Sequence, residues 1–472
     1  MDIMETTTPY PHLLLTCLLL PLAAATTLSF ATSETGNPFV DGLHADRDNE
    51  FYENEYWVYP TSSYPYDQQT YLDAFSSPDL VHWTKHRNVL VASDFSWSDD
   101  ELGGIGVGVA DRPGGPYKDA IGRPLIGKYV HGAQPIDQDV FVDDDGQAYI
   151  YYGGHGHANV AKLNEDMTSL GTFDDDGNGN GDGKGTTAAT VFREITPESY
   201  VEGIQMLKRN GTYYLFWSEG GWGGPDYVVS YAMSASPAGP FRRIAKMLQQ
   251  DAAVATGSGH NGVIHVPGTD VYYIGYHRHP LGNQVDENDR HLAYDRLRFD
   301  GKDGTILPVR MLVHDNFDDG NMIGWSVHGG GTLTASSNAL RGVFSRDGGG
   351  SSSALLDTNF GDLTFAADVT IPIGSSGNSS AGLVFRASRP NTGADVYDGY
   401  YAGLSTARQK LLLGRASSPS SPDGSWTELA SVHADIWPGQ TYRVRVQARK
   451  NAVSVWAGDQ AVFDNVRVEH LQ

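Results

Sequence analysis

The chain has 472 residues, 40% of them hydrophobic, with 33 Lys and Arg against 57 Asp and Glu for a formal charge of −24. That length exceeds what one hydrophobic core organises, so two domains are expected, and the acidic balance repels phosphate backbones and excludes nucleic acid as a partner. The single cysteine, Cys17, lies in the leader described next, which excludes disulfides and thiol chemistry from the mature protein.

Residues 1–35 are poor in acids and carry an apolar run from Leu13 to Ala25 that ends in small residues. This reads as a signal peptide, and the run is short for a membrane span, so a secreted, extracellular protein without a membrane partner is expected; an uncleaved anchor is the alternative. The sequons Asn210-Gly211-Thr212 and Asn378-Ser379-Ser380 are compatible with that route.

Between about residues 50 and 300 an aromatic strand recurs: Tyr56-Trp57-Val58-Tyr59, Tyr149-Ile150-Tyr151-Tyr152, Tyr213-Tyr214-Leu215-Phe216-Trp217 and Val271-Tyr272-Tyr273-Ile274. Each is followed by a loop, a second strand and a turn, as in Leu72 to Asp79 and Val228 to Pro237. A further second half, Ile105 to Pro113, has no aromatic strand before it. Short strands at regular spacing, broken by Gly, Pro and Asp, predict an all-β fold, here a five-bladed β-propeller over 36–312 with an incomplete second blade.

Acids precede three of the aromatic strands: Asp46 in His44-Ala45-Asp46, Asp137 in Pro135-Ile136-Asp137, and Glu202 in Val201-Glu202-Gly203. They are expected at one phase of the repeat, facing a common axis. Asp143, Asp144 and Asp145 precede Gly146 and read as a hairpin turn. The run from Asp174 to Asp182 alternates oxygen donors like the start of a calcium loop, but Gly185 stands where the closing glutamate belongs, and a flexible loop is the favoured reading.

From Asp315 the character changes to Gly/Ser patches between alternating strands such as Leu363 to Ile371 and Tyr442 to Ala448. This predicts a β-sandwich over 313–472, of the jelly-roll or concanavalin-like kind.

These segments together resemble glycoside hydrolase family 43. The likeness rests on Asn37-Pro38 with His44-Ala45-Asp46, on Phe75 to Trp83, on Pro135-Ile136-Asp137 with Phe141, on Glu202-Gly203 with Lys208 to Tyr214, and on Thr256-Gly257-Ser258-Gly259-His260 with Tyr276-His277. The resemblance implies an inverting hydrolase in which Asp46 is the general base, Glu202 the general acid and Asp137 the carboxylate that raises the acid's pKa and orients it. Inversion requires an acid at the leaving oxygen and a base that activates water on the opposite face. His260 matches a histidine associated with a calcium ion in the channel, the alternative being a hydrogen-bonded core histidine. No cofactor is required for the chemistry. Arg290 matches an arginine near the sugar, a surface ion pair being the alternative, and Phe141 and Trp222 are the aromatic candidates for sugar contact. The sandwich resembles concanavalin-like domains and is expected to brace the propeller rather than to bind sugar.

The sequence departs from the family pattern between Trp97 and Gly103, where a Trp-Ala-Pro segment and an aromatic strand are missing. The expected function is release of α-L-arabinofuranose or β-D-xylose from plant cell-wall polysaccharide by a monomer. A hydrolase of galactan, and a secreted carbohydrate-binding protein without activity, are the alternatives.

Overall fold

The computed structural model describes residues 36–95, 97, 104–173, 190–282, 286–343, 351–375, 379–391, 395–417, 425–458 and the backbone of 460–467. The leader with Cys17, the Asp174 to Asp182 run, Asn378 and the departure at 98–103 lie outside the described residues.

The first half of the chain is a ring of antiparallel sheets. β1 (His44–Tyr52), β2 (Glu55–Ser62), β3 (Tyr71–Ser77) and β4 (Thr84–Val91) form the first blade, in sequence order from the axis outward. Of the second blade the described residues hold a two-stranded ribbon, β5 (Gly108–Val109) with β6 (Lys118–Asp119). The third comprises β7 (Asp139–Val142), β8 (Ala148–Tyr152), β9 (Asn159–Lys162) and β10 (Phe192–Glu194), and the fourth β11 (Glu202–Arg209), β12 (Thr212–Glu219), β13 (Val228–Ser234) and β14 (Arg242–Leu248). The fifth has three strands, β15 (Thr256–Val266), β16 (Val271–His279) and β17 (His291–Leu297). Beside β17 lies the start of the described chain: the Phe39 amide donates to the Leu292 carbonyl, and the Asn37 side chain bonds both the amide and the carbonyl of Tyr294.

The aromatic strands of the repeat are the second strands of their blades. All five residues of β8 are buried, as are seven of the eight in β12. A strand covered on both faces by neighbouring blades has no solvent side, so its sequence is continuously apolar and aromatic rather than alternating. The cores lie between blades: Tyr214, Phe216, Tyr231, Ile274 and Tyr276 fill the space between the fourth and fifth, and Tyr151, Val160, Leu215 and Trp217 that between the third and fourth. Each buried aromatic contributes on the order of 2–3 kcal/mol.

The second half is a sandwich. β18 (Trp325–Gly329) pairs with β21 (Ser352–Leu356) and β19 (Thr332–Ala335) with β20 (Leu340–Val343). The two main sheets are β22 (Leu363–Thr370) with β27 (Thr441–Arg449), β28 (Ala452–Ala457) and β29 (Gln460–Arg467), and β23 (Ser380–Ser388), β24 (Asp398–Ser405), β25 (Lys410–Ser417) and β26 (Ser425–His433). In β27, Val444, Val446 and Ala448 face the core while Arg443, Arg445 and Arg449 face outward, the period-2 pattern of a one-sided sheet. The sandwich also touches the propeller: Phe360 packs against the core of the fourth and fifth blades, the Asn359 amide donates to the Ala253 carbonyl, and the His82 ring meets the Asp318 carbonyl at 3.1 Å.

Candidate active site

The inner strands begin with the same irregularity. From Ala45 to Asp48, from Glu202 to Gln205 and from Gly259 to Gly262 the chain advances three residues while its partner advances two. Before β7, the Ile136 carbonyl accepts from the Gly153 amide and Asp139 pairs with Tyr151, the same count. One extra residue in a strand is a β-bulge, which bends the strand and re-aims a side chain. The bulged residue is left-handed each time: φ is +43° at Asp46, +55° at Asp137, +66° at Gly203 and +47° at His260. A left-handed conformation costs a non-glycine residue about 1–2 kcal/mol, a cost typical of functional positions.

This register corrects the expectation that the three acids share one phase. Asp46 and Asp137 sit on the bulge, whereas Glu202 precedes it by one residue and His260 holds the position in the fifth blade. A Cβ at Gly203 would lie 3.0 Å from the Ser218 hydroxyl and 3.4 Å from the His260 ring, so a side chain there would crowd the histidine. The flanking residue therefore supplies the carboxylate.

The residues converge on His260. Its Nδ1 lies 3.2 Å from Asp46 and 3.9 Å from Asp137, and its amide donates to the Ser218 hydroxyl at 2.9 Å. Burial lowers the histidine's affinity for its proton, but Asp46, Asp137 and Glu202 outweigh it and hold the pKa above the ordinary value. Asp46 also accepts from Arg290 Nη1 at 3.2 and 3.3 Å and from the Thr61 hydroxyl at 3.1 Å. Against the effect of burial, His260 and Arg290 hold its carboxyl well below the usual range, so it is an anion. Asp137 behaves oppositely. Burial and the neighbouring Glu202 and Asp46 carboxylates, opposed by His260, push it up to about 7, and its Oδ2 accepts the Gly203 amide at 3.0 Å. The Asp137 carboxyl therefore keeps its proton to a higher pH than an ordinary aspartate does, whereas Asp46 gives its proton up.

Arg290 is positioned on three sides. Its Nε donates to the Ser63 hydroxyl at 2.8 Å, its guanidinium lies 4.6 Å from the centre of the Trp222 ring, and its Nη1 reaches Asp46. It is buried, as is His277, whose Nδ1 lies 3.5 Å from the Asp46 amide and 3.4 Å from Asp46 Oδ1. The amide is an obligatory donor, so Nδ1 accepts; burial pushes His277 down to about 4 and keeps it neutral. The Tyr227 hydroxyl donates to Glu202 Oε1 at 2.9 Å. Below this layer a second set of carboxylates, Asp48, Glu50 and Asp139, interact with one another, and burial raises all three.

The structure thus brings together Asp46, Asp137, Glu202, His260, Arg290 and Trp222. Phe141 is a correction: it packs edge-on against Tyr213, 6.1 Å between ring centres, on the core between the third and fourth blades rather than beside the carboxylates. Thr61, Ser63, Tyr227 and the role of His277 escaped the sequence reading. The first three lie off the inner strands and carry no repeat-phase signal, although His277 stands in a motif of the family likeness. His260, expected beside a hydrated ion in the channel, has its Nδ1 turned toward Asp46 and Asp137.

An all-β ring with three carboxylates gathered around one histidine is an arrangement suited to glycoside hydrolysis, and comparison with known proteins gives the family. The sequence profile of glycosyl hydrolases family 43 matches residues 95–306, and that of the 3-keto-alpha-glucoside-1,2-lyase-like domain matches residues 314–471. The β-D-galactofuranosidase xynD of Aspergillus niger is 40% identical over 346 residues, covering 64% of this chain and 96% of that protein. An arabinoxylan arabinofuranohydrolase of Bacillus subtilis is 30% identical over 301 residues, 48% of this chain, which spans only 55% of that protein's length. A solved thermostable family-43 glycoside hydrolase aligns with TM-score 0.47 at 23% identity, covering 59% of this chain and 97% of its own. The chain belongs to glycoside hydrolase family 43.

Proposed function

We propose that the protein is a secreted, inverting, exo-acting furanosidase that removes terminal α-L-arabinofuranose or β-D-galactofuranose from polysaccharide. What carries this reading is the convergence of Asp46, Asp137 and Glu202 on His260, with Asp46 held anionic by His260 and Arg290 and Asp137 pushed up to about 7. Glu202 gives its proton to the leaving oxygen as the bond from that oxygen to C1 breaks. A water oxygen bonds to C1 from the opposite face and passes its proton to Asp46. Both carboxyls then return to their starting states by exchange with solvent. Arg290 and Thr61 hold Asp46 in place, and Asp137, bonded to the Gly203 amide beside Glu202, orients the acid.

The two sugars have the same configuration at every ring carbon and differ by one hydroxymethyl group outside the ring. One such group is worth only about 1–3 kcal/mol of discrimination in a pocket, so a site built for the shared ring accepts both. Relatives named as a galactofuranosidase and as arabinofuranohydrolases support the furanose reading. Relatives named as xylosidase or xylosidase/arabinosidase keep β-D-xylose as the second reading. The exposed Asn210, at the turn between β11 and β12, is open to glycosylation and supports a secretory route.

The test is turnover of nitrophenyl α-L-arabinofuranoside, β-D-galactofuranoside and β-D-xyloside, with the product anomer followed by NMR. Release of a furanose with inverted configuration is expected. Preference for the xyloside would overturn the furanose reading, and a retained anomer would overturn the assignment of Asp46 as base.

A further inference from the structure

We infer that Tyr227 is a positioning residue of the general acid, holding Glu202 by one carboxyl oxygen so that its proton is carried on the other. This rests on the reading of Glu202 given above. Tyr227 is wholly buried on the segment just before β13, and its hydroxyl donates to Glu202 Oε1 at 2.9 Å. An oxygen that accepts a hydrogen bond from a buried phenol is not the oxygen that carries the acid's own proton, which leaves Oε2 for the leaving group.

The seat for this tyrosine is built by the neighbouring blade. A Cβ at Gly259 would lie 2.2 Å from the Tyr227 ring, so the ring occupies the space that any other residue would fill. The opposite contact is His277, whose ring stacks on Tyr227 with centres 5.5 Å apart and planes 11° from parallel. His277 in turn touches Asp46 through Nδ1. A continuous chain of contacts, Glu202 to Tyr227 to His277 to Asp46, with its two middle members buried, therefore connects acid to base and fixes one against the other. Glu202 begins a strand at a bulge, and without Tyr227 its side chain has rotamers to explore.

The experiment uses the full chain and a matched pair of furanosides with the same sugar, one with a dinitrophenyl leaving group that departs without a proton and one with a methyl leaving group that requires it. Tyr227→Phe keeps the ring and its stack. The expected result is a fall in kcat of about tenfold on the methyl glycoside, with less than twofold change on the dinitrophenyl glycoside. Gly259→Ala, which displaces the ring, is expected to give the same split and serves if Tyr227→Phe does not fold. An equal loss on both substrates, or no loss on either, would overturn the assignment. Wild-type protein inactive on both glycosides would overturn the furanosidase reading instead, and this inference with it.

Discussion

The interface between the fourth and fifth blades and the region between the first and third are built from the same repeat but to different depth. In the former, Tyr214, Phe216, Tyr231, Ile274 and Tyr276 interlock in one core, and Glu202 and His260 of the candidate site stand on the inner strands beside it. In the latter the cores are smaller: that next to the ribbon of the second blade has three buried members, Trp57, Ala74 and Val89, and that beside the third blade has eight, among them Ile105, Ile126 and Ile150. On the far side Val140 and Val142 of β7 are exposed. Asp46 stands on the first blade and Asp137, bound to the Gly203 amide, precedes the third, while Glu202, His260 and Arg290 are carried by the fourth and fifth blades beside the larger core. Pre-organised charge requires a rigid support, and the molecule places it there.

The contrast is broken most severely by removing the chemistry from its dense half. Glu202→Gln is expected to lower kcat on a methyl furanoside by about a thousandfold while leaving the unfolding midpoint in urea within error of wild type. A matching fall in stability would show that the carboxylate is structural. Next in size is the packing itself. Phe216→Ala, in the dense core, is expected to cost about 4 kcal/mol in urea unfolding, and Val89→Ala, in the sparse one, about 1.5 kcal/mol. Equal costs relative to the volume removed would erase the distinction between the regions.

The smallest effect is that of pH. Asp48 is pushed up to about 6 and Asp137 to about 7, both chiefly by burial, so at pH 5 the native protein holds protons that the unfolded chain has released. Stability from these groups is full below about pH 4 and is lost as pH rises through 6 to 7. Asp46 has the opposite sign: its pKa is depressed, so its contribution is present above about pH 4 and is lost in acid. The melting temperature is therefore expected to be lower at pH 8 than at pH 5, and Asp48→Asn to reduce that difference. A melting temperature that rises across this range would contradict the sign.

Much of this organisation is legible in the sequence, and what is not has a physical cause. The aromatic strands announce themselves because burial on both faces leaves a continuous apolar signature, and the Asp143 to Gly146 turn is written in its residues. The register of the acids is not, because a bulge adds one residue without changing composition, so Glu202 seems to share the phase of Asp46 and Asp137. Phe141 was misread for a related reason: an aromatic near a catalytic aspartate looks alike in sequence whether it faces a neighbouring blade or the axis. Tyr227 left no trace at all, since its role depends on the absent side chain of Gly259 and on a ring in another strand.

The pairing of residues 37–39 with β17 has a consequence for the order in which the protein is made. Asn37 and Phe39 leave the ribosome early but bond to Leu292 and Tyr294, and Asp46 takes its guanidinium partner from Arg290. The ring therefore cannot close, nor Asp46 acquire its full set of partners, until nearly 300 residues have emerged. Until the fifth blade has been made, the first inner strand lacks the neighbour it has in the finished ring.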